Sequence, residues 1–180
     1  GFNFMEFLKN DLVIVNPLKI KRWIIDELEA SMVLYFIGAS RSSAAIIDQQ
    51  KKNTSSGNEK AIEAMHKIKQ SAIDMKQALL KGDMKEFSRI LGEGWENKKK
   101  MADNITNSMI QEVFDLAISA GAVAGKVSGA GGGGFVMLMV EPTRKKELIN
   151  ALKKLNGFVM PFHFTEGGAH GWKIYSTNKV

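Results

Sequence analysis

The sequence of 180 residues predicts an α+β fold, with a ferredoxin-like sheet of βαββαβ order and an enlarged helical first crossover. Three observations support this fold class. Residues 31–37 (SMVLYFI) are an apolar run of strand length, and several helical patterns follow it before the next strand. Residues 122–140 contain two strands joined by a turn too short for a crossover, so the two must be antiparallel neighbours. A further helix and strand complete the order.

Local signals place the individual elements. Gly82 ends a long helix whose apolar stripe is spaced 4, 3, 4, 3, 4, and Asp83 caps the next helix. Asn107 or Ser108 caps another, and Pro142 opens the last one. The predicted strands are 2–8, 12–15, 31–37, 122–128, 135–140, 158–165 and 172–175. The predicted helices are 19–29, a helix capped by Ser40 or Ser42 that runs to about residue 53, 59–81, a helix that follows Asp83, 108–120 and 142–157.

The turn between the two central strands is almost entirely glycine. Glycine loses more backbone freedom on folding than any other residue, so such a run indicates a special conformation. Successive backbone N–H groups without side chains can converge on one anion. Lys126 and Ser128 lie on one side of the preceding strand, because side chains alternate along a strand. These residues predict a phosphate or substrate site formed by Lys126, Ser128, Gly129, Ala130, Gly131, Gly132, Gly133 and Gly134.

Several well-known glycine motifs do not fit this turn. A dinucleotide-binding G-x-G-x-x-G must open a helix, whereas residues 135–140 (FVMLMV) have the composition of a buried strand. A protein-kinase loop requires H-R-D and D-F-G motifs downstream, and no G-K-[ST] of a Walker loop is present. An ordinary glycine-rich hairpin remains the alternative, although a hairpin needs only one or two glycines.

A second candidate site lies where the first sheet strand meets its helix. Ser40 can cap that helix, and Arg41 has a planar guanidinium that matches phosphate geometry. A cation in the first turn of a helix is disfavoured by the macrodipole unless an anion is present. The alternative is a solvated surface arginine.

Composition narrows the function classes. The chain has 44% hydrophobic and 24% charged residues, a net charge of +6 and no cysteine, which excludes disulfides and thiolate metal sites and favours the cytoplasm. The lysines are scattered along amphipathic helices, and the lysine run 98–100 is expected to be a solvated face, so we expect no nucleic-acid binding. No apolar run of membrane-spanning length is present. His66, His163 and His170 are not spaced with acids, so neither a metal site nor a catalytic residue is predicted. The oligomeric state stays open.

The first residues suggest that the chain is part of a longer protein. The chain has no initiator methionine and begins directly in a strand pattern. We expect residues 1–16 to be strands at the edge of an N-terminal domain absent from this sequence, and residues 17–180 to be a domain of their own.

Three stretches resemble the GHMP kinase family, and the likeness covers most of the chain. The segment KVSGAGGGG (126–134) resembles the third conserved motif of the family. The segment LYFIGASRSS (34–43) resembles the Y-T-G-x-S-R-x-S segment of its heptose-kinase and fucokinase branch, with Phe36 where that branch has threonine. The C-terminal glycines of 166–172 also fit that branch.

The resemblance implies a C-terminal GHMP kinase domain at 17–180. The N-terminal half of these kinases carries the nucleotide loop and the catalytic aspartate, so ATP and Mg²⁺ would be held mainly by that missing half. The implied activity is ATP-dependent phosphorylation of the anomeric hydroxyl of D-glycero-D-manno-heptose 7-phosphate, on the way to nucleotide-activated heptose for surface polysaccharide. The implied partners are the sugar phosphate, ATP and the N-terminal domain.

Other interpretations remain open from the sequence. One is a kinase half that acts on an L-fucokinase-like substrate. Another is a non-catalytic module that binds a phosphate-bearing ligand as it stands. A third is a helical interaction domain in which the glycine turn is only structural.

Overall fold

The computed structural model describes residues 1–38 and 43–173, which form a four-stranded sheet packed with helices and a separate two-stranded sheet. The strands are β1 (Asn3–Phe7), β2 (Val13–Pro17), β3 (Met32–Phe36), β4 (Ala122–Val127), β5 (Phe135–Val140) and β6 (Phe158–Met160). The helices are α1 (Arg22–Ser31), α2 (Ser43–Ser55), α3 (Glu59–Lys81), α4 (Met84–Lys99), α5 (Ser108–Ser119) and α6 (Lys145–Leu152), and short 3₁₀ turns lie at Lys9–Asp11, Asp103–Ile105 and Pro142–Arg144.

The main sheet has the predicted ferredoxin-like topology. Its four strands lie in the order β4-β5-β3-β6, and every neighbouring pair is antiparallel. The first crossover, between β3 and β4, contains α2, α3, α4 and α5. The predicted α+β class and the enlarged crossover are therefore confirmed.

The central strand β3 is covered on both faces, as its apolar sequence predicts. Val33 and Tyr35 belong to a core formed with α5 and α6, whereas Met32 packs in a second core formed with α1, α3 and α4. Strand β5 alternates in the same way, with Leu138 in the first core and Met139 in the second. Each large apolar side chain buried in this manner contributes about 1.5–3 kcal/mol to folding.

Capping explains why the long helices begin and end where they do. The side chain of Asn58 accepts a hydrogen bond from the backbone N–H of Ala61 at the start of α3. Gly82 adopts the left-handed conformation at its end, and the side chain of Asp83 then caps α4. The predicted bounds of α3 are confirmed residue for residue.

The apolar stripe predicted for α3 is only partly right. Ala61 and Leu79 are buried, but Met65 is 40% exposed and Ala64 is buried in its place. A spacing of 3.5 residues drifts around a straight helix of 3.6 residues per turn. The buried face of a helix of 23 residues therefore does not follow one such stripe.

The C-terminal part departs from the predicted strands. β6 ends at Met160, because Pro161 has no N–H to donate to a strand ladder. The chain then follows α1, where the backbone N–H of Phe164 donates to the Glu29 carboxylate at 3.0 Å. Residues 172 and 173 lie in no strand, and the rest of the predicted strand 172–175 lies outside the described residues. The predicted helix 142–157 begins as a 3₁₀ turn and ends at Leu152.

The hairpin of β1 and β2 forms a sheet of its own. Its strands pair from Asn3 with Pro17 to Phe7 with Val13. The hairpin touches the rest of the chain through the rings of Phe2 and Phe164, whose centroids are 5.0 Å apart, and through Lys76, whose Nζ lies 4.0 Å from the Phe4 ring centroid. Most of its large apolar side chains are exposed, among them Met5, Phe7, Leu8, Leu12, Val13 and Val15.

None of the helices among the described residues is both long enough and apolar enough to span a bilayer.

Candidate phosphate-binding site

The glycine turn between β4 and β5 has a backbone that side chains would not tolerate. All five of its glycines have positive φ, with values of 77° at Gly129, 112° at Gly131, 75° at Gly132, 154° at Gly133 and 86° at Gly134. L-residues other than glycine rarely adopt this region. The glycine run is thus required by the positive φ angles along the whole turn. An ordinary two-residue hairpin turn does not require so many glycines.

Three hydrogen bonds, to Ile105, Asn107 and Ile37, join the turn to neighbouring elements. The Gly132 N–H donates to the Ile105 carbonyl at 2.9 Å, and the Asn107 side-chain amide donates to the Gly132 carbonyl at 3.2 Å. The Gly134 carbonyl accepts from the Ile37 N–H at 3.0 Å. The turn is therefore tied both to the start of α5 and to the end of β3.

Most of the turn's amide groups have no hydrogen-bond acceptor among the described residues. Within residues 1–38 and 43–173, the N–H groups of the turn other than that of Gly132 donate no hydrogen bond. Gly131 and Gly133 are nevertheless buried. Buried backbone N–H groups are nearly always paired, so unpaired ones in a buried turn indicate an acceptor supplied from outside. The amide of Gly132 is the one predicted donor that is used internally.

The two side chains predicted beside the turn lie at the end of β4. Lys126 pairs with Met137 in the ladder, and the Ser128 N–H donates to the Phe135 carbonyl at 2.8 Å. Lys126 is partly buried and its pKa is lowered by that burial, whereas Ser128 is exposed. The structure thus brings a cation, a hydroxyl and unpaired amides to one end of the sheet.

Lys98, from α4, is a site residue that the sequence reasoning missed. Its ammonium donates to the Gly129 carbonyl. Burial, and to a smaller extent the charge of Lys126, lowers the pKa of Lys98. The run 98–100 was predicted to be a solvated face, which is wrong for Lys98. The signal that could have found it is helical spacing, because Leu91, Trp95 and Lys98 follow one another at i, i+4 and i+7 on the buried side of the helix.

The second predicted site cannot be placed in the same way. Ser40 and Arg41 lie outside the described residues, and their roles stay predictions. Ile37, three residues before Ser40, is the residue bonded to Gly134.

Among the described residues, none of the three histidines forms a hydrogen bond with the turn. His163, on the C-terminal segment, lies 2.6 Å from the Glu29 carboxylate of α1, and His66 and His170 are exposed. No group of three histidine or acidic side chains placed to hold a metal ion occurs among the residues that the structure describes.

The Asn107 side chain has two roles, and comparison with a second capping residue can separate them. Its side chain caps α5 by accepting from the Ile110 N–H at 2.9 Å, and it also holds Gly132. We expect Asn107→Ala to lower the free energy of unfolding by about 1 kcal/mol or more, and also to loosen the turn. Asn58→Ala removes a cap alone and is the matched control. Urea unfolding should show similar losses, whereas phosphate-ligand binding should weaken only in Asn107→Ala; equal binding in the two variants would contradict the second role.

Comparison with known proteins identifies the class to which the chain belongs. Residues 75–156, which run from within α3 to four residues past the end of α6, match the family model described as GHMP kinases C terminal. The chain carries the C-terminal domain of the GHMP kinases.

Individual relatives narrow the comparison further. The chain is 48% identical over 174 residues to D-glycero-alpha-D-manno-heptose 7-phosphate kinase of Campylobacter jejuni, which covers 97% of this chain and 51% of that protein. It is 61% identical, with a TM-score of 0.72, to the crystal structure of a D-glycero-D-manno-heptose 1-phosphate kinase from Bacteroides thetaiotaomicron, over 98% of this chain and 46% of that one. An L-fucokinase/L-fucose-1-P guanylyltransferase of Bacteroides fragilis is more distant, at 25% identity over 67% of this chain and 13% of that protein.

The matches also show how much of each relative this chain covers. The chain spans about half the length of the heptose kinases it matches. Its glycine turn lies inside the segment matched by the family model.

Proposed function

We propose that this chain is the C-terminal half of an ATP-dependent sugar-phosphate kinase that phosphorylates the anomeric hydroxyl of D-glycero-D-manno-heptose 7-phosphate. The observation that carries the proposal is the partly buried glycine turn, whose amides are mostly unpaired among the described residues, next to Ser128 and Lys126. Phosphoryl transfer needs little covalent chemistry from a protein and depends on positioning and on stabilising negative charge. Backbone N–H donors and a nearby cation suit that task.

The donor set fits phosphate groups better than it fits a metal ion. Amides, a hydroxyl and ammonium groups bind phosphate oxygens, whereas Mg²⁺ is bound through carboxylates and phosphates. The described residues bring no such acidic cluster to the turn. We therefore assign Mg²⁺, most of the ATP contacts and the catalytic base to an N-terminal half, and assign to this chain the orientation and charge stabilisation of the phosphoryl group.

The hairpin of β1 and β2 is the proposed contact with that N-terminal half. Its apolar side chains are exposed, with Phe7 at 76%. Contiguous exposed apolar surface is typical of an interface. We propose that residues 1–16 extend the N-terminal domain, that residues 17–180 form the second domain, and that the enzyme acts in the cytoplasm.

The names of the relatives support a heptose substrate but differ in the phosphate they specify. One is named a 7-phosphate kinase and the other a 1-phosphate kinase. A kinase that transfers to the anomeric oxygen requires that oxygen to be free, so its substrate carries the phosphate elsewhere. We favour heptose 7-phosphate over L-fucose because the fucokinase match is weaker in both identity and coverage.

The test is a kinase assay on the longest natural reading frame that contains this chain. We expect turnover of heptose 7-phosphate with ATP and Mg²⁺, and ³¹P NMR of the product should show a new anomeric phosphate beside the original one. The chain of 180 residues by itself should show no turnover. Phosphorylation of L-fucose with no reaction of heptose 7-phosphate would move the function to the alternative substrate, and no transfer to any sugar would remove the kinase proposal.

A further inference from the structure

A cavity of about 370 Å³ lies between α3, α4 and the end of β4, beside the start of the glycine turn. Gln50 of α2, Trp95 and Lys98 of α4, and Lys126 of β4 are among its lining residues. Lys98 also donates to the carbonyl of Gly129, the first residue of the turn. Lys98 therefore both lines the cavity and contacts the turn.

The charged groups that line this cavity are both cations. Burial lowers the pKa of Lys98, and the charge of Lys126 makes a smaller contribution in the same direction. No aspartate or glutamate of the part of the chain that the structure describes lines the cavity. Within the described ranges 1–38 and 43–173, neither ammonium forms an ion pair with a carboxylate. Two desolvated like charges without a counter-ion are unfavourable unless an anion joins them.

The amide of Gln50 is a further unsatisfied donor in the same lining. Its Nε2 is buried and has no hydrogen-bond partner among the described residues. Buried side-chain polar atoms nearly always have a partner, and a primary amide can donate two hydrogen bonds. Two ammonium groups and an orphaned amide donor form a set that is complementary to an acceptor-rich anion.

The position of the cavity distinguishes it from the amide cradle of the turn. The phosphoryl group in transfer needs the unpaired amides of residues 129–134. Lys126, which lies beside the turn, also lines the cavity together with Lys98, on the α3 and α4 side of β4. A sugar held with its reacting hydroxyl at the turn can extend its other end past Gly129 into the cavity. A phosphate monoester at that end would meet the cations.

We propose that Lys98, Lys126 and Gln50 form a second anion subsite, which binds the phosphate that the sugar substrate already carries. The proposal rests on the kinase function proposed above and specifies why a phosphorylated sugar is selected over an unphosphorylated one. A phosphate of ATP has the same chemistry, so the test must separate the two sources.

The test compares Lys98→Met with Lys100→Met in the full-length protein. Lys100 is the matched control, because it lies at the end of the same helix, is exposed and contacts the Asn97 side chain. Hydrogen bonds to charged groups contribute enough that losing one weakens binding roughly 10- to 100-fold. In Lys98→Met we expect KM for heptose 7-phosphate to rise by about that factor, with KM for ATP within about twofold of wild type. The loss of kcat/KM with unphosphorylated heptose measures the lost contact with Gly129, and it should be smaller than the loss with heptose 7-phosphate. Lys100→Met should match wild type with every substrate.

A second variant separates anion binding from support of the turn. Lys126→Met removes a cation that makes no hydrogen bond to the turn among the described residues. We expect it to raise KM for heptose 7-phosphate as Lys98→Met does, and Gln50→Leu should do so by a smaller factor. An equal loss with phosphorylated and unphosphorylated sugar in both lysine variants would overturn the subsite. A rise confined to KM for ATP would overturn it as well and assign the cations to the nucleotide.

Titration with inorganic phosphate makes the subsite testable apart from the kinase function. Phosphate should shift the Lys98 and Lys126 side-chain NMR signals in wild type, and each lysine variant should lose that response. If heptose 7-phosphate is not a substrate but the phosphate response is present, the proposed function fails while the anion subsite stands. If heptose 7-phosphate is a substrate and neither lysine responds to phosphate, the subsite is wrong and the function stands.

Discussion

Replacement of Gly131 by alanine is expected to lower kcat/KM of the full-length kinase by about 10²–10³-fold, the loss that follows removal of a donor that stabilises developing negative charge. Gly131 has φ of 112°, and a Cβ atom there would lie 2.8 Å from the Ile105 carbonyl oxygen and 3.0 Å from its Cγ2. Ile105 is fully buried and cannot move aside without disturbing the core. The same carbonyl accepts from the Gly132 N–H, so relief of the clash breaks that bond and misplaces the amides.

The matched control for this substitution is Gly129→Ala. Gly129 has φ of 77°, but a Cβ atom there would have no heavy atom within 4 Å. It therefore carries only the conformational cost of the left-handed region, about 1–2 kcal/mol. Steady-state kinetics and urea unfolding of both variants check the prediction. Equal losses of kcat/KM in the two variants would mean that strain alone, and not contact with Ile105, limits the turn.

The features that could be predicted from the sequence are those that depend on local chemistry. The bounds of α3 follow from Asn58 and Gly82, which cap and end the helix through their own side-chain and backbone properties. The bounds of β5 follow from an apolar run between a glycine turn and Pro142. The antiparallel pairing of β4 with β5 follows from the shortness of the turn, and that pairing largely determines the sheet topology.

The features that could not be predicted depend on contacts between distant parts of the chain. Ile105 and Asn107 hold the turn from positions more than 20 residues away, and neither has a local pattern that indicates this role. Lys98 looked like part of a solvated lysine run because the depth of the cavity beside it depends on how α3 and α4 pack. Strand β6 ends at Met160, although the apolar pattern continues beyond it, because Pro161 has no N–H to donate to the strand ladder.

Replacement of Trp95 by alanine is expected to have the largest effect on stability, a loss of about 3–5 kcal/mol in the free energy of unfolding. Trp95 is 4% exposed and belongs to the main core. Its ring stacks on that of Phe114, with centroids 5.7 Å apart and planes 7° from parallel, and so joins α4 to α5. The helix that provides Lys98 and the helix that Asn107 caps are thus held together by this pair, and its loss should weaken the support of the turn from both sides.

Trp172 provides the control, because it is 82% exposed and its replacement by alanine should change stability by less than about 0.5 kcal/mol. Urea unfolding followed by circular dichroism measures both variants. The double variant with Phe114→Ala then isolates the contribution of the stacked pair, which we expect to be about 0.5–1.5 kcal/mol beyond the loss of buried area. A loss in Trp95→Ala no larger than that in Trp172→Ala would show that α4 and α5 are held by other contacts. In that case Lys98 should keep its position at Gly129, and KM for heptose 7-phosphate should be unchanged in Trp95→Ala. The expected result is a larger loss of stability than in Trp172→Ala together with a rise in KM for heptose 7-phosphate, because the cavity wall and the helix that carries Lys98 depend on the same ring.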